Sequence, residues 1–401
     1  MNAIVFETCD TLTGHRLPYA SATTDAIQNV ASVTVALNPA IKSAGLLSEF
    51  FPDSSIIRYF ANPRPSGTFR TQYFYLAQLA RMCKEYAPDH VAIPTADGFT
   101  ALSFFSSALL GYKFGRRSPR IDICLMQGTA VRQETSITKY LLDCVKLYAT
   151  FQGPWNRILL IDPLAYLPLR HEHKFQLCPD PVPQHPGIDK AMARKNLGLP
   201  EDSRLILSIG NQDHRKGTDL ALRAFLGAEI GKHDYLVLFG KFSKNMRELV
   251  DRMTAGHPKQ GQVIIRDRYV DEVDFQNALV AASLIVCPYR SAYRPSGIIC
   301  RAIAWGIPLL TTDRGWPNWA VRTFSGGSTS DCHDTSIFAD AISHSLDHLS
   351  EHKLSPEARA FRNFNSLANY KSTWQAGITG KESLSSDYLA SHEEFICTIS
   401  K

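Results

Sequence analysis

Between Arg204 and Phe225 the chain reads RLILSIGNQDHRKGTDLALRAF. Leu205, Ile206 and Leu207 form a short apolar run that fits a buried parallel strand, and the run breaks at Gly210-Asn211 into a polar loop ending at Lys216-Gly217. A helix is expected beyond it. Thr218 is placed to cap that helix, Asp219 to face the positive end of its dipole, and Leu222, Phe225 and Leu226 to share one face. A strand feeding a glycine-containing loop that opens a helix turns free backbone N–H groups toward an anion, and Arg215 and Lys216 add two cations in the same turn. Phosphate suits that chemistry. An ordinary strand-to-helix connection with two solvated basic residues has the same pattern.

A second stretch, SLIVCPYRSAYRPSGIICRAIAWGIPLLTTDRGW over residues 283–316, repeats the arrangement. A strand through Val286 should end at Pro288, a polar loop with Arg290, Tyr293 and Arg294 should follow, and Ser296-Gly297 should open a helix running to Ala304. Gly306 then ends the helix, and a strand over 308–311 delivers Asp313 and Gly315 to the same sheet edge. This is a second anion-site candidate. A plain βαβ unit without a ligand is its alternative.

Other chemistries lack their signatures. No G-x-G-x-x-G follows the first strand, and there is no G-x-x-x-x-G-K-[ST] loop, G-x-S-x-G elbow or H-E-x-x-H pair. Nine cysteines, odd in number and widely spaced without C-x-x-C, point to reduced thiols and not to a disulfide framework or zinc site. A formal charge of +5 spread over 401 residues gives no basic cluster for nucleic acid. The first residues, MNAIVFETCD, lack the basic start and long apolar core of a signal peptide, and no apolar run reaches the length of a bilayer span. A cytoplasmic protein is expected, with at most a peripheral membrane contact.

The elements that position these loops alternate. Strands are expected near Ala3–Phe6, Val33–Leu37, Ile56–Phe60, His90–Pro94, Ile121–Leu125 and Ile158–Ile161, with helices between them, notably Thr68–Tyr86, Thr100–Leu110 and Glu134–Thr150. From Asp162 to Pro200 seven prolines interrupt any long periodic element, as in an interdomain connection. A second series of strands begins at Arg204. From Arg359, the residues Phe361, Phe364, Leu367, Tyr370 and Trp374 fit one amphipathic helix, and the tail after Gly377 looks polar and poorly ordered. The expected class is therefore α/β with two Rossmann-like domains and a ligand cleft between them, beyond the carboxyl ends of the strands. Asp97, in IPTADGF at a strand end, either faces that cleft or caps the next helix.

Residues 204–349 resemble the donor-binding domain of a GT-B-fold glycosyltransferase of the retaining family 4. The resemblance rests on SIG…RKGTDLALRAF, VIIRDRYVDEVDFQNALVAASLIVCPY and SGIICRAIAWGIPLLTTDRGW, with CPDPVP at 178–183 like the segment entering that domain. It implies an N-terminal, acceptor-side domain over 1–173, a donor-side domain over 174–358, and a segment over 359–401 that returns to the N-terminal domain and ends in a tail. It also implies a nucleotide-sugar donor as substrate, no separate cofactor, no metal, and a carbohydrate, lipid or small-molecule acceptor. The absence of any D-x-D fits metal independence.

By the same resemblance Lys216 grips the donor diphosphate, with Gly210, Asn211 and Arg215 beside it. Ser296 and Gly297 offer backbone amides, Arg268 and Tyr269 hold the base, and Gly14 and His15 face the reacting sugar and acceptor. The chain departs from the family at Asn211, where an arginine is common, and at Tyr293 and Arg301, which stand where the family has two glutamates. Arginine has no acceptor for ribose hydroxyls, so Arg301 is expected to meet a phosphate or a carboxylate. Competing readings are a non-catalytic nucleotide-sugar-binding module and a GT-B epimerase or hydrolase.

Overall fold

The computed structural model describes residues 1–9, 16–44, 47–51, 56–60, 68–98, 118–126, 148, 150, 152–291, 295–379 and 386–399. Gly14, His15, Tyr293, Arg294, the expected helix Thr100–Leu110 and most of the expected helix Glu134–Thr150 lie outside the described residues. The chain divides into two units, Met1–Pro181 with Asn365–Ala390, and Val182–Phe364 with Ser391–Lys401.

The first unit holds a parallel sheet of β1 (Asn2–Glu7), β2 (Ser32–Leu37), β3 (Ile56–Tyr59), β4 (His90–Ile93), β5 (Arg120–Leu125), β6 (Arg157–Leu160) and β7 (Phe175–Leu177), in the order β3-β2-β1-β4-β5-β6-β7. Its strands are apolar runs because both faces are covered. Ile4 and Phe6 pack with Leu76, Leu79 and Met82 of α2 (Thr68–Tyr86). Ala3 and Val5 point the other way, onto Leu17, Ala20 and Ile27 of α1 (Arg16–Gln28). A break at 173/174 would cut β7 from its partner β6, to which it pairs from Phe175 opposite Ile158. The division therefore falls after Pro181, within the proline-rich join but past the expected position.

In the second unit, β8 (Arg204–Ile209), β9 (Asp234–Phe239), β10 (Val263–Arg266), β11 (Leu284–Cys287), β12 (Leu309–Thr312) and β13 (Gly327–Ser330) form a parallel sheet in the order β10-β9-β8-β11-β12-β13. Its helices are α3 (Lys190–Leu197), α4 (Thr218–Gly227), α5 (Lys244–Thr254), α6 (Glu272–Ala281), α7 (Gly297–Trp305), α8 (Gly315–Thr323), α9 (Thr335–Asp347) and α10 (Pro356–Phe364). Ile206, Leu236, Leu238, Leu284 and Val286 pack on one face against Phe225 of α4, Val250 of α5 and Phe338 and Ile342 of α9. Strand order reverses between β8 and β11, which are hydrogen-bonded neighbours. In a doubly wound sheet that reversal opens a crevice at the carboxyl ends of the two strands.

The aromatic series from Phe361 to Trp374 occupies two helices and both units. Phe361 and Phe364 end α10 in the second unit, while α11 (Leu367–Thr379) belongs to the first and buries Tyr370 and Trp374 among its core residues. Residue 359 to the end is thus not a single returning segment. The tail is helical in α12 (Ser386–Ile399), where Phe395 stacks on Phe364 with ring centroids 4.4 Å apart.

A buried charge network fixes α11 to its sheet. Arg157 reaches Asp122 through Nη2 at 2.6 Å and Nε at 2.8 Å, and His90 Nε2 lies 3.0 Å from the same carboxylate. Burial favours a neutral Asp122, but the His90 hydrogen bond and the Arg157 guanidinium outweigh it and hold the carboxyl at about 2. Arg157 Nη1 also donates to the Thr373 carbonyl in the middle of α11 and Arg120 Nη2 to that of Ile378 in its last turn, both at 3.1 Å, the second satisfying a carbonyl that the helix end leaves without an internal partner.

Candidate functional site

The loop after β8 is built by short-range hydrogen bonds. Asp213 Oδ1 accepts from the Lys216 amide at 2.8 Å, and the buried Gln212 donates through Nε2 to the Ser208, Gly210 and Phe239 carbonyls, each at 3.1 Å. Gly217, not Thr218, is the N-cap residue of α4, with φ 71°. A Cβ at that position would collide with the Pro288 carbonyl, so only glycine brings this loop against the exit of β11. Thr218 does not cap because its hydroxyl is donated to Gln212 Oε1 at 3.0 Å. Asp219 likewise faces a side chain and not the helix dipole alone: Arg290 grips it with two bonds of 2.6 and 2.7 Å.

Arg290 stitches the two strand-exit loops together. Its Nη1 donates to the His214 carbonyl at 2.9 Å, and its backbone N–H to the Arg215 carbonyl at 3.2 Å. Lys216 Nζ lies 4.0 Å from the centroid of the Tyr289 ring, and the Tyr289 hydroxyl meets Ser296 Oγ at 3.1 Å. Burial pushes the Lys216 ammonium down to about 8 and the Cys287 thiol beneath it up to about 11. Arg215 is more open, its side chain 56% exposed and 3.8 Å from Asp213.

The helix starts around this point differ from their neighbours. After the outer strands β9, β10 and β13, the helices α5, α6 and α9 are capped by the side chains of Ser243, Asp271 and Asp334. After the adjacent strands β8, β11 and β12, the helices α4, α7 and α8 begin at Gly217, Ser296 and Arg314 with no side-chain cap. Ser296, a good capping residue by type, spends its hydroxyl on Tyr289. Three neighbouring helix N-termini thus keep their dipole ends for an anion, with Lys216 among them.

Gly210, Asn211, Arg215, Lys216, Ser296 and Gly297 accordingly belong to this one edge of the second sheet. A Cβ at Gly297 would meet only open space, and one at Gly210 would touch Ile298 Cδ1 at 3.5 Å. Arg268 and Tyr269 follow β10 on the same edge. Arg268 is ion-paired with Asp274 and lies over Phe239, and Tyr269 is 60% exposed. Arg301 does meet a carboxylate, Glu272 of α6, at 2.7 and 3.2 Å. Asp97 lies in the other unit, where its Oδ2 accepts from the Met126 amide at 3.1 Å and ties the exits of β4 and β5. Trp305 and Trp316 pack: Trp305 Nε1 donates to the Pro183 carbonyl at 2.9 Å, and Trp316 is buried.

Sequence reasoning missed Gln212, Tyr289, Glu272 and the bracing role of Arg290. Only Arg290, a cation directly after a strand end, carried a local signal. Among the described residues no group of three or more His, Cys, Asp or Glu is placed to hold a metal ion, and no helix is long and apolar enough to cross a membrane.

Two Rossmann-like units, one with an anion-suited edge at its strand reversal, constitute the GT-B fold of glycosyltransferases. Residues 203–348 carry a domain matching the family described as Glycosyl transferases group 1. The chain is 31% identical over 173 residues to a D-inositol 3-phosphate glycosyltransferase from Acidothermus cellulolyticus, a match spanning 40% of this chain and 37% of that protein. The chain thus spans only about two-fifths of the length of the curated relatives it matches. Among solved structures, Anabaena Alr3699/HepE in complex with UDP and glucose has a TM-score of 0.68 at 12% identity, covering 95% of this chain and 100% of its own. UDP-GlcNAc 2-epimerase from Neisseria meningitidis, bound to UDP-GlcNAc, has a TM-score of 0.65 at 12% identity with the same coverages. At such identity these likenesses establish the fold.

Proposed function

We propose that the protein is a glycosyltransferase that moves a sugar from a nucleotide-sugar donor to an acceptor hydroxyl, with retention of configuration and without a metal. The observation that carries this reading is the row of three uncapped helix N-termini around Lys216 at the strand reversal. A diphosphate bound there gains charge as the bond from its terminal phosphate oxygen to the anomeric carbon breaks, and fixed N–H dipoles and an ammonium stabilise that charge without reorganising. Arg215 adds a second, solvent-facing cation. Arg268 and Tyr269 then flank the base, and Ser296 and Gly297 approach the phosphates. The matched group 1 domain supports the class of reaction, and the UDP and glucose bound to a protein of similar fold support a nucleotide-sugar donor. A carbohydrate, lipid or small molecule in the cytoplasm supplies the acceptor hydroxyl.

A non-catalytic nucleotide-sugar-binding module is the second reading, favoured by the engagement of Arg301 with Glu272 and not with an open site. Incubation with a panel of nucleotide sugars and mixed acceptors, followed by measurement of nucleotide release, separates the two. Release that depends on both Lys216 and acceptor is expected. Donor binding without release under any acceptor would establish the module instead.

A further inference from the structure

The Arg301–Glu272 pair is asymmetric. The Arg301 side chain is 17% exposed and lies with its guanidinium 4.8 Å from the Phe275 ring centroid, whereas the Glu272 side chain is 56% exposed. A fork of two bonds fixes the orientation of the carboxylate, and Gln276 Nε2 also donates to Oε1 at 2.8 Å, so the acceptor position left open is on Oε2. An exposed glutamate ordinarily wanders among rotamers. This one is held by Gln276 and by a cation that is itself packed on an aromatic ring, with one acceptor position of Oε2 left over.

Its location gives that position a use. Glu272 opens α6, so it stands at the carboxyl edge of the sheet beyond β10. Arg301 is three residues along α7 from Ile298, hence on a neighbouring face position, and Ile298 is the side chain that a Cβ on Gly210 would touch. Arg301 itself follows Gly297, at the uncapped start of α7, by one helical turn, about 5 Å. Between the exits of β8 and β9 the edge is bare backbone, because Gly240 packs so closely on Gly210 that a Cβ there would strike the Gly210 carbonyl. Tyr269, three residues before Glu272, and Val273, next after it, are 60% and 68% exposed.

We propose that Glu272, held in place by Arg301, accepts through Oε2 a hydrogen bond from the ribose 2′-hydroxyl of the nucleoside diphosphate whose phosphates lie at Lys216, so that the site selects ribonucleosides over deoxyribonucleosides. The inference rests on the donor site described under the proposed function. Glu272 touches the ligand; Arg301 is a positioning residue. An arginine in α7 is then no obstacle to ribose binding, since it recruits from α6 the acceptor that it cannot itself supply.

Calorimetric titration of the intact protein with UDP, ADP and GDP identifies the tightest ribonucleotide, which is then compared with its 2′-deoxy form. Wild type should bind the deoxy form about tenfold more weakly, in line with a charge-assisted hydrogen bond. Glu272→Ala should weaken the ribonucleotide by a similar factor and bind both forms alike, and Arg301→Met should lose part of the discrimination with Glu272 still present. Equal binding of both forms by wild type, or discrimination that survives Glu272→Ala, overturns the inference. If nucleotide binding collapses in Lys216→Ala but ignores Glu272, the inference fails and the donor site stands; if no nucleoside diphosphate binds wild type, both fall.

Discussion

The Lys216 ammonium sits 4.0 Å from the centre of the Tyr289 ring, and Tyr289 in turn is tied to Ser296 at the start of the next helix. A cation so held is oriented before any anion arrives. Lys216→Ala should therefore weaken nucleoside diphosphate binding roughly ten- to a hundredfold. Lys232→Ala, which removes a comparable charge outside the loop, should have little effect. Equal losses in calorimetry would show that general electrostatics holds the ligand.

The same ammonium predicts a pH profile. Burial lowers its pKa to about 8, so the free protein carries the charge below that pH and loses it above. A bound diphosphate favours the charged form and raises the bound-state pKa. Affinity should be level from about pH 7, above the ligand phosphate's own titration at about 6, to pH 8 and fall as pH rises further, whereas Lys216→Arg, charged throughout, should show no such fall. Titrations on either side of pH 8 at constant salt read this directly.

Arg290 and Asp219 join the loops that carry Lys216 and Ser296, so their pair should matter for binding as well as stability. Asp219 is buried and Arg290 is 21% exposed, and removal of either partner leaves the other charge poorly solvated. Arg290→Lys keeps the charge but loses the fork and should cost roughly 1–3 kcal/mol in urea unfolding. The nucleotide affinity of that variant should also drop, because the His214 carbonyl loses its side-chain brace. A stability loss with unchanged affinity would assign Arg290 to folding alone.

Much of this fold was legible because buried parallel strands write themselves as apolar runs, as at Leu205–Ile209 and Leu284–Cys287. Two edge strands were not. Phe175–Leu177 is three residues long in a proline-rich stretch, and Gly327–Ser330 reads GSTS, with no apolar signature at all. The Phe361–Trp374 series kept helical spacing across a break at Asn365-Ser366, so periodicity alone could not separate α10 from α11. At the site, glycines and cations announced themselves locally. Glu272 did not, since its pairing with Arg301 spans 29 residues and exists only once α6 and α7 are packed.

Gly377 gives a test of the buried network in the first unit. In an exposed helix Gly→Ala is stabilising, but a Cβ here would collide with the Arg157 guanidinium and the Asp122 carboxylate. Gly377→Ala should destabilise by roughly 2–4 kcal/mol, combining overpacking with a disturbed buried ion pair. Denaturant unfolding that shows the variant equal to or above wild type would mean that α11 is not seated on Arg157.

Asp162 predicts the opposite sense of pH dependence from an ordinary paired carboxylate. Burial raises its pKa to about 7; Oδ1 accepts from the Leu164 amide, while Oδ2 has no hydrogen-bond partner among the described residues. The folded state thus holds the proton more tightly than the unfolded state, so this contribution is fully present below the unfolded pKa of 3.8 and is lost as pH rises to about 7. Asp162→Asn retains an oxygen for the Leu164 amide and removes the charge. At pH 8 the variant should be more stable than wild type, by at most about 4 kcal/mol, with the difference vanishing at acid pH. Parallel urea titrations at the two pH values check it.

The final expectation concerns charge and position at Arg301. Arg301→Glu would set a second carboxylate against Glu272, so nucleotide release should fall about tenfold or more even though the residue is then the glutamate that the family resemblance implies there. Stability should fall as well, by roughly 1–3 kcal/mol, because the Arg301 side chain is 17% exposed and a carboxylate there is poorly solvated and faces Glu272. Combining Arg301→Glu with Glu272→Arg rebuilds the pair in reverse and places a glutamate on α7. If only the local charge balance matters, the double variant should recover activity. If the carboxylate must stand on α6, as the geometry of this edge implies, the double variant should regain stability without regaining turnover. Higher turnover in Arg301→Glu alone would show that the arginine hinders the site and that Glu272 has no part in it.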